Sequence, residues 1–109
     1  MLTQKRWGKE LQLMRDVFPQ FGPFAAPPKF GFQGRLRGKR TGRLYEVVLE
    51  ADERVYPQEP VAIYMNPRIG HHWIADGRMC VEGQQWIPAR DNFGSWLLRT
   101  IEYLEINHG

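Results

Sequence analysis

Large apolar residues recur at helical spacing near the start of the chain. Trp7, Leu11, Met14 and Phe18 lie at positions i, i+4, i+7 and i+11, which places them in one stripe of an amphipathic helix. This pattern predicts a helix over residues 3–18, and the prolines and glycines that follow end it.

Three later segments alternate between apolar and polar positions, as strands with one buried face do. They predict antiparallel strands at 29–37, 44–51 and 61–65, with a hairpin loop at 38–43 between the first two. The prolines within 19–28 predict an extended connection there. The residues expected on the buried faces of the first two strands are Phe30, Phe32, Leu36, Tyr45, Val47, Leu49 and Ala51.

A second amphipathic pattern closes the chain. Residues 92–107 place Phe93, Trp96 and Leu97 on one face, and Asp91 is the expected N-cap. Residues 66–90 show no sustained period. The order helix, three- to four-stranded antiparallel meander, long irregular segment, helix predicts an α+β fold, and 109 residues fit one domain, 1–109.

The distribution of charge suggests a two-signed surface. The net charge is +3, but residues 1–43 carry a balance of +8 and residues 44–109 a balance of −5. Five cations cluster in and beside the predicted hairpin loop, and we interpret them as a docking patch for an acidic partner. No aromatic residue is interleaved among them, which disfavours nucleic acid as that partner. The five are Arg35, Arg37, Lys39, Arg40 and Arg43.

Composition excludes several classes of protein. No apolar run approaches the roughly 18 residues of a membrane span, and the N-terminus lacks the apolar stretch of a signal peptide, so we expect a cytoplasmic protein. Cys80 is the single cysteine, so no internal disulfide can form.

The irregular segment concentrates groups that can carry chemistry. It holds Cys80, two of the three histidines, His71 and His72, and two of the four tryptophans, Trp73 and Trp86. Reactive residues on a loop supported by a rigid scaffold are typical of binding and catalytic sites.

Four short motifs in this region occur in an order that resembles the catalytic core of ubiquitin-conjugating enzymes. They are Tyr56-Pro57-x-x-Pro60, Arg68-Ile69-x-His71, Asp76-Gly77-x-Met79-Cys80-Val81 and Trp86-Ile87-Pro88, preceded by the helix and the antiparallel strands. The resemblance implies that Cys80 accepts an acyl group as a thioester and that His71 holds the active-site loop by hydrogen bonding. Arg78, two residues from Cys80, favours the reactive thiolate.

The sequence also departs from the family pattern. His72 and Trp73 replace the Pro and Asn that follow the family's histidine, and the interval from His71 to Cys80 is one residue shorter. By its spacing from Cys80, His72 falls where the family's oxyanion-supporting asparagine lies, and a histidine can donate to an oxyanion or accept a proton. Trp73 replaces a small polar residue, so we expect it to face a partner.

The resemblance implies a set of partners and no cofactor or metal. The chain ends at Gly109 without the family's C-terminal helices, which suggests a minimal bacterial member. Its implied partners are an adenylating, activating enzyme, a ubiquitin-like protein or a nucleotidyltransferase C-terminus as the passenger, and a target protein. Bacterial antiphage operons are the implied setting.

Three other functions remain open at this point. A non-catalytic binding module on the same scaffold would explain the missing asparagine. A cysteine hydrolase would use Cys80 with His72 and let water resolve the acyl-enzyme. A zinc site of His71, His72, Asp76 and Cys80 is possible by ligand type, but adjacent histidines rarely aim at one tetrahedral ion.

Overall fold

A helix, four consecutive strands and a second helix follow one another along the chain, which confirms the predicted α+β class. The computed structural model describes residues 1–67 and 85–107, with side chains described as far as Glu105. The elements are α1 (Gln4–Val17), β1 (Gly22–Ala26), β2 (Lys29–Arg37), β3 (Leu44–Asp52), β4 (Ala62–Asn66) and α2 (Phe93–Asn107).

Helix α1 forms where the apolar stripe predicts it. The Thr3 side chain caps its start by accepting a hydrogen bond of 3.1 Å from the backbone N–H of Arg6. Met14 is buried, and Trp7 and Leu11 pack partly buried against the core. The stripe does not account for one further buried side chain, Glu10, which is 2% exposed.

The strands form an antiparallel sheet in the order β1-β2-β3-β4. The connection predicted to be extended over 19–28 contains a strand that the alternation did not predict, because Gly22–Ala26 pairs with β2 and places Phe24 opposite Gly31. Among the described strands β1 has a neighbour on one side only. Pro23 removes one backbone donor, and an edge strand tolerates that loss since half of its polar groups need no sheet partner.

The central hairpin of β2 and β3 is confirmed, together with its buried face. Phe32 lies opposite Leu49 in the register, and both are buried. The loop at 38–43 is closed by a hydrogen bond of 2.8 Å from the Gly38 N–H to the Arg43 carbonyl oxygen. Gly42 adopts a φ of 71°, in the left-handed region that favours glycine.

Helix α2 begins one residue later than predicted, and its cap is Asn92 rather than Asp91. The Asn92 side-chain oxygen accepts a hydrogen bond of 2.7 Å from the Ser95 N–H, and the Ser95 hydroxyl accepts one of 2.9 Å from the Asn92 N–H. This reciprocal pair satisfies backbone donors at the helix start. Asp91 is 1% exposed and its carboxylate bonds instead to the preceding turn.

Aromatic rings join the two helices to one face of the sheet. The Phe93 ring lies 5.5 Å from that of Phe30 and 5.2 Å from that of Phe32, centroid to centroid, and Trp7 lies 5.2 Å from Phe30. These edge-on contacts fix the start of α2 over β2. In residues 1–67 and 85–107, neither helix combines the length and apolar character needed to cross a membrane.

Candidate functional site

The residues with candidate catalytic roles all fall between β4 and α2. Cys80, His71, His72 and Trp73, together with Asp76 of the zinc alternative, lie outside the described residues. The structure therefore describes the elements on either side of them. β4 ends at Asn66, followed by Pro67, and the described chain resumes at Gln85.

Two motifs that carry the resemblance meet in space. The indole N–H of Trp86 donates a hydrogen bond of 2.7 Å to the Pro57 carbonyl oxygen. The Trp86 ring lies 6.0 Å from the Tyr56 ring and packs edge-on against Trp96 of α2 at 4.9 Å. The Tyr56-Pro57 turn thus contacts Trp86, which follows residues 68–84 in the chain.

A buried carboxylate holds this turn to both helices. Glu10 accepts hydrogen bonds from the Tyr56 hydroxyl, from the Arg6 Nε at 2.9 Å and from the Phe93 backbone N–H at 3.1 Å. Burial and the neighbouring Glu10 carboxylate raise the pKa of the Tyr56 hydroxyl well above its usual value. Both carboxylate oxygens of Glu10 and the Tyr56 hydroxyl are thus hydrogen-bonded, which is typical of a structural role rather than of a reactive group.

Arg6 extends the framework to the segment just before α2. Its guanidinium donates to the Asp91 carbonyl oxygen at 2.7 Å, to the Pro88 carbonyl oxygen at 3.4 Å and to the Tyr56 hydroxyl at 3.3 Å. One side chain of α1 thus binds the Tyr56 turn and the segment that follows Trp86.

A second buried carboxylate organises the start of α2. Asp91 accepts hydrogen bonds from the Ile87 N–H at 2.8 Å, from Arg90 at 2.9 Å, from Arg99 at 3.1 Å and from the Ser95 hydroxyl at 3.2 Å. Burial raises the pKa of Asp91, but these hydrogen bonds outweigh it and lower that pKa to about 2. The carboxylate is therefore ionised across the physiological range.

A groove of about 450 Å³ lies between α1 and residues 89–92. Lys5, Lys9 and Arg90 are among its lining residues, as are the buried Glu10 and Asp91. Neither lysine makes an ion pair with a described residue. The lysines therefore give the groove a positive charge, because the two carboxylates that line it are already paired with arginines.

The structure separates the five cations of the predicted docking patch into two groups. Lys39 and Arg40 contact Glu105 of α2. The other three contact residues of the β2–β3 hairpin itself: Arg35 contacts Glu46, Arg37 contacts Gly42 and Arg43 contacts Tyr45.

The sequence pattern did not indicate the roles of Glu10 and Arg6, and it assigned Asp91 to the cap of α2 rather than to this framework. Glu10 was open to detection in principle, because it lies one position before Leu11 and three after Trp7, on the edge of the apolar stripe. A charged residue there is more often solvent-exposed, so its burial follows only once Tyr56 and Phe93 are seen to supply donors.

Comparison of the chain with protein-family models, with curated proteins and with solved structures finds no match.

Proposed function

We propose that this protein is a ubiquitin-conjugating-like acyl carrier with Cys80 as its acceptor nucleophile. The observation that supports it best is the contact between Trp86 and Pro57, because the two motifs that flank the cysteine segment in the resemblance are hydrogen-bonded in the fold. The helix, four-stranded meander and second helix agree with the order that the resemblance implies.

The proposed reaction is a thioester exchange. The Cys80 thiolate attacks the carbonyl carbon of a C-terminal glycyl thioester on an activating enzyme, a new sulfur–carbon bond forms, and the donor's sulfur leaves as a thiolate. The two thioesters have similar energies, so the exchange needs no further input. In a second step an amine, hydroxyl or water attacks the carbonyl carbon of the Cys80 thioester, the carbon–sulfur bond breaks, and Cys80 leaves as a thiolate. His72 is the candidate group to bind the oxyanion or remove the proton of the attacking group.

The proposed partners follow from this chemistry. An adenylating enzyme supplies the activated passenger, which is a ubiquitin-like protein or the C-terminus of a nucleotidyltransferase, and a target protein receives it. Bacterial antiviral defence in the cytoplasm is the proposed setting.

A minimal experiment uses a short peptide ending in a glycyl thioester as the donor. Because Cys80 is the only cysteine, intact-protein mass spectrometry detects loading at that position without ambiguity. We expect an adduct that excess thiol removes and that forms faster than on a free-cysteine model peptide. Cys80→Ser should give a slower, thiol-resistant ester, and Cys80→Ala should give none.

The second step is tested on the loaded protein. We expect His72→Ala to slow discharge to an added amine while leaving loading intact, with His71→Ala as the matched neighbour. Loading no faster than that of the model peptide would refute the carrier role, whereas unchanged discharge in His72→Ala would remove only the role of that histidine.

A further inference from the structure

The β2–β3 loop and the strand ends beside it carry five cations, and two of them fasten the loop to α2. Lys39 Nζ lies 3.0 Å from a carboxylate oxygen of Glu105, and Arg40 donates a hydrogen bond of 3.0 Å to the Glu105 carbonyl oxygen. The last carbonyls of a helix lack partners within the helix, and cations near them are stabilising. Lys39 and Arg40 therefore stabilise the packing of the β2–β3 loop against α2.

The other three cations keep most of their donors available. Arg35 pairs with Glu46 at 3.6 Å, and both side chains are more than half exposed. Arg37 donates one hydrogen bond of 2.6 Å, to the Gly42 carbonyl oxygen. The Arg43 guanidinium lies 5.9 Å from the centre of the Tyr45 ring and makes no hydrogen bond to a described residue.

An exposed apolar side chain lies next to two of these arginines. Leu44 is 40% exposed, follows Arg43 in the chain and lies opposite Arg37 in the strand register. We name Arg35, Arg37, Arg43 and Leu44 the hairpin patch. It combines three guanidinium groups with one apolar contact at the end of a two-stranded ribbon.

We propose that the hairpin patch docks an acidic segment of a protein partner. A guanidinium presents a planar fork of donors that matches a carboxylate, and three such forks outnumber the single carboxylate that pairs with them in the described part of the chain, that of Glu46. The exposed Leu44 offers the apolar contact that accompanies arginine in protein interfaces.

The same features disfavour nucleic acid as the partner. Single-stranded nucleic acid binds where aromatic rings can stack on bases, and Tyr45, the ring nearest Arg43, is only 3% exposed. The exposed Leu44 side chain also adds little to phosphate binding, whereas it can pack against an apolar side chain of a protein partner.

The test uses a fluorescent peptide of alternating glutamate and leucine as the probe, with a glutamine–leucine peptide as the neutral control. Two double variants remove the same charge from the same hairpin: Arg35→Gln with Arg43→Gln, and Lys39→Gln with Arg40→Gln. We expect the first to bind the probe about tenfold more weakly than the wild type, which is about 1.4 kcal/mol. The second should stay within about twofold of the wild type.

Every other result overturns the proposal. Equal losses of affinity in the two double variants would indicate non-specific attraction to net charge. Equal affinity for the acidic and the neutral peptide would show that the hairpin patch does not recognise acidic segments. Tighter binding of a labelled single-stranded or duplex DNA than of the peptide would assign the patch to nucleic acid instead. The measurement can be made on Cys80→Ala, so its result is independent of the proposed thioester chemistry. Circular dichroism checks that the variants are folded.

Discussion

The backbone N–H of Phe93 donates a hydrogen bond of 3.1 Å to the carboxylate of Glu10, and the two residues are 83 positions apart. This bond ties the first turn of α2 to the middle of α1. Because the same carboxylate accepts from Tyr56, a single side chain of α1 holds both the turn that precedes β4 and the start of α2.

Removal of the Glu10 carboxylate should be among the most destabilising single changes in the described part of the chain. Glu10→Ala leaves Arg6, Tyr56 and the Phe93 N–H without their acceptor, and loss of one partner of a buried pair costs about 3–5 kcal/mol. Glu10→Gln keeps an acceptor and should cost about 1–3 kcal/mol. Urea unfolding followed by tryptophan fluorescence measures both.

The matched control for that prediction is Glu46→Gln. Glu46 also pairs with an arginine, but its side chain is 62% exposed, so the change should cost about 1 kcal/mol or less. Similar losses in Glu10→Gln and Glu46→Gln would contradict the assigned role of burial.

The lowered pKa of Asp91 predicts a specific sensitivity to acid. Its value falls from an ordinary 3.8 to about 2 on folding, so the ionised carboxylate stabilises the fold above pH 3.8, and that contribution disappears as the pH falls through about 2. Arg90→Gln removes the two guanidinium hydrogen bonds to Asp91 that help to lower this pKa. We expect its unfolding free energy to decline at a higher pH than that of the wild type.

Urea titrations from neutral pH to the acid transition measure this shift. Arg35→Gln is the control, because it removes an exposed arginine that does not contact Asp91. Superimposable pH profiles for Arg90→Gln and the wild type would show that Arg90 does not hold the carboxylate in its ionised form.

The hydrogen bond from Trp86 to Pro57 should be separable from ring packing. Trp86→Phe keeps an aromatic ring but leaves the Pro57 carbonyl oxygen without its donor, which adds about 1 kcal/mol to the cost of the smaller ring. Trp7→Phe is the comparison, since the Trp7 ring packs on Phe30 and donates no hydrogen bond to a described residue. Equal losses of unfolding free energy in the two variants would assign no weight to the bond.

The cap of α2 is a further point where sequence and structure give different predictions. Asn92→Ala should cost about 1 kcal/mol because the Ser95 N–H loses its acceptor, whereas Asn92→Asp should be nearly neutral or slightly stabilising at the positive end of the helix. Thermal unfolding distinguishes the three proteins. A neutral Asn92→Ala would place the cap elsewhere.

Two glycines should respond in opposite directions to the same substitution. Gly8 lies within α1 with open space where a side chain would go, so Gly8→Ala should stabilise the protein by up to about 1 kcal/mol. Gly42 has open space too, but its φ of 71° strains any other residue, and Gly42→Ala should cost about 1 kcal/mol. Thermal unfolding of both variants tests whether backbone conformation or available space decides the sign.

Periodicity was enough to predict the two helices and the β2–β3 hairpin. The apolar stripe from Trp7 to Phe18 and the alternation in the two strands each reflect burial against one core, which a local pattern records directly. β1 was not predicted because its pairing with β2 is set by the register of another segment, and the prolines within it and just after it argue locally against a strand.

The polar framework could not be predicted from the local sequence either, because its hydrogen bonds depend on residues elsewhere in the chain. Asp91 and Asn92 are both good N-cap residues, and only the positions of Ile87, Arg99 and Ser95 decide which of them caps the helix. Glu10 is likewise buried only because distant residues supply its donors. The candidate nucleophile Cys80 stays a prediction of motif order, since the described residues do not include it.

The Pro23 in β1 has a bearing on how the protein behaves at high concentration. An open sheet edge is a template on which a strand of another molecule can add, and successive additions lead to aggregates. β1 lies at one edge of the described sheet. It is only five residues long, contains one proline and is followed directly by two more. These prolines disfavour the addition of a further strand to β1, and they are the same residues that argue against a strand there in the sequence.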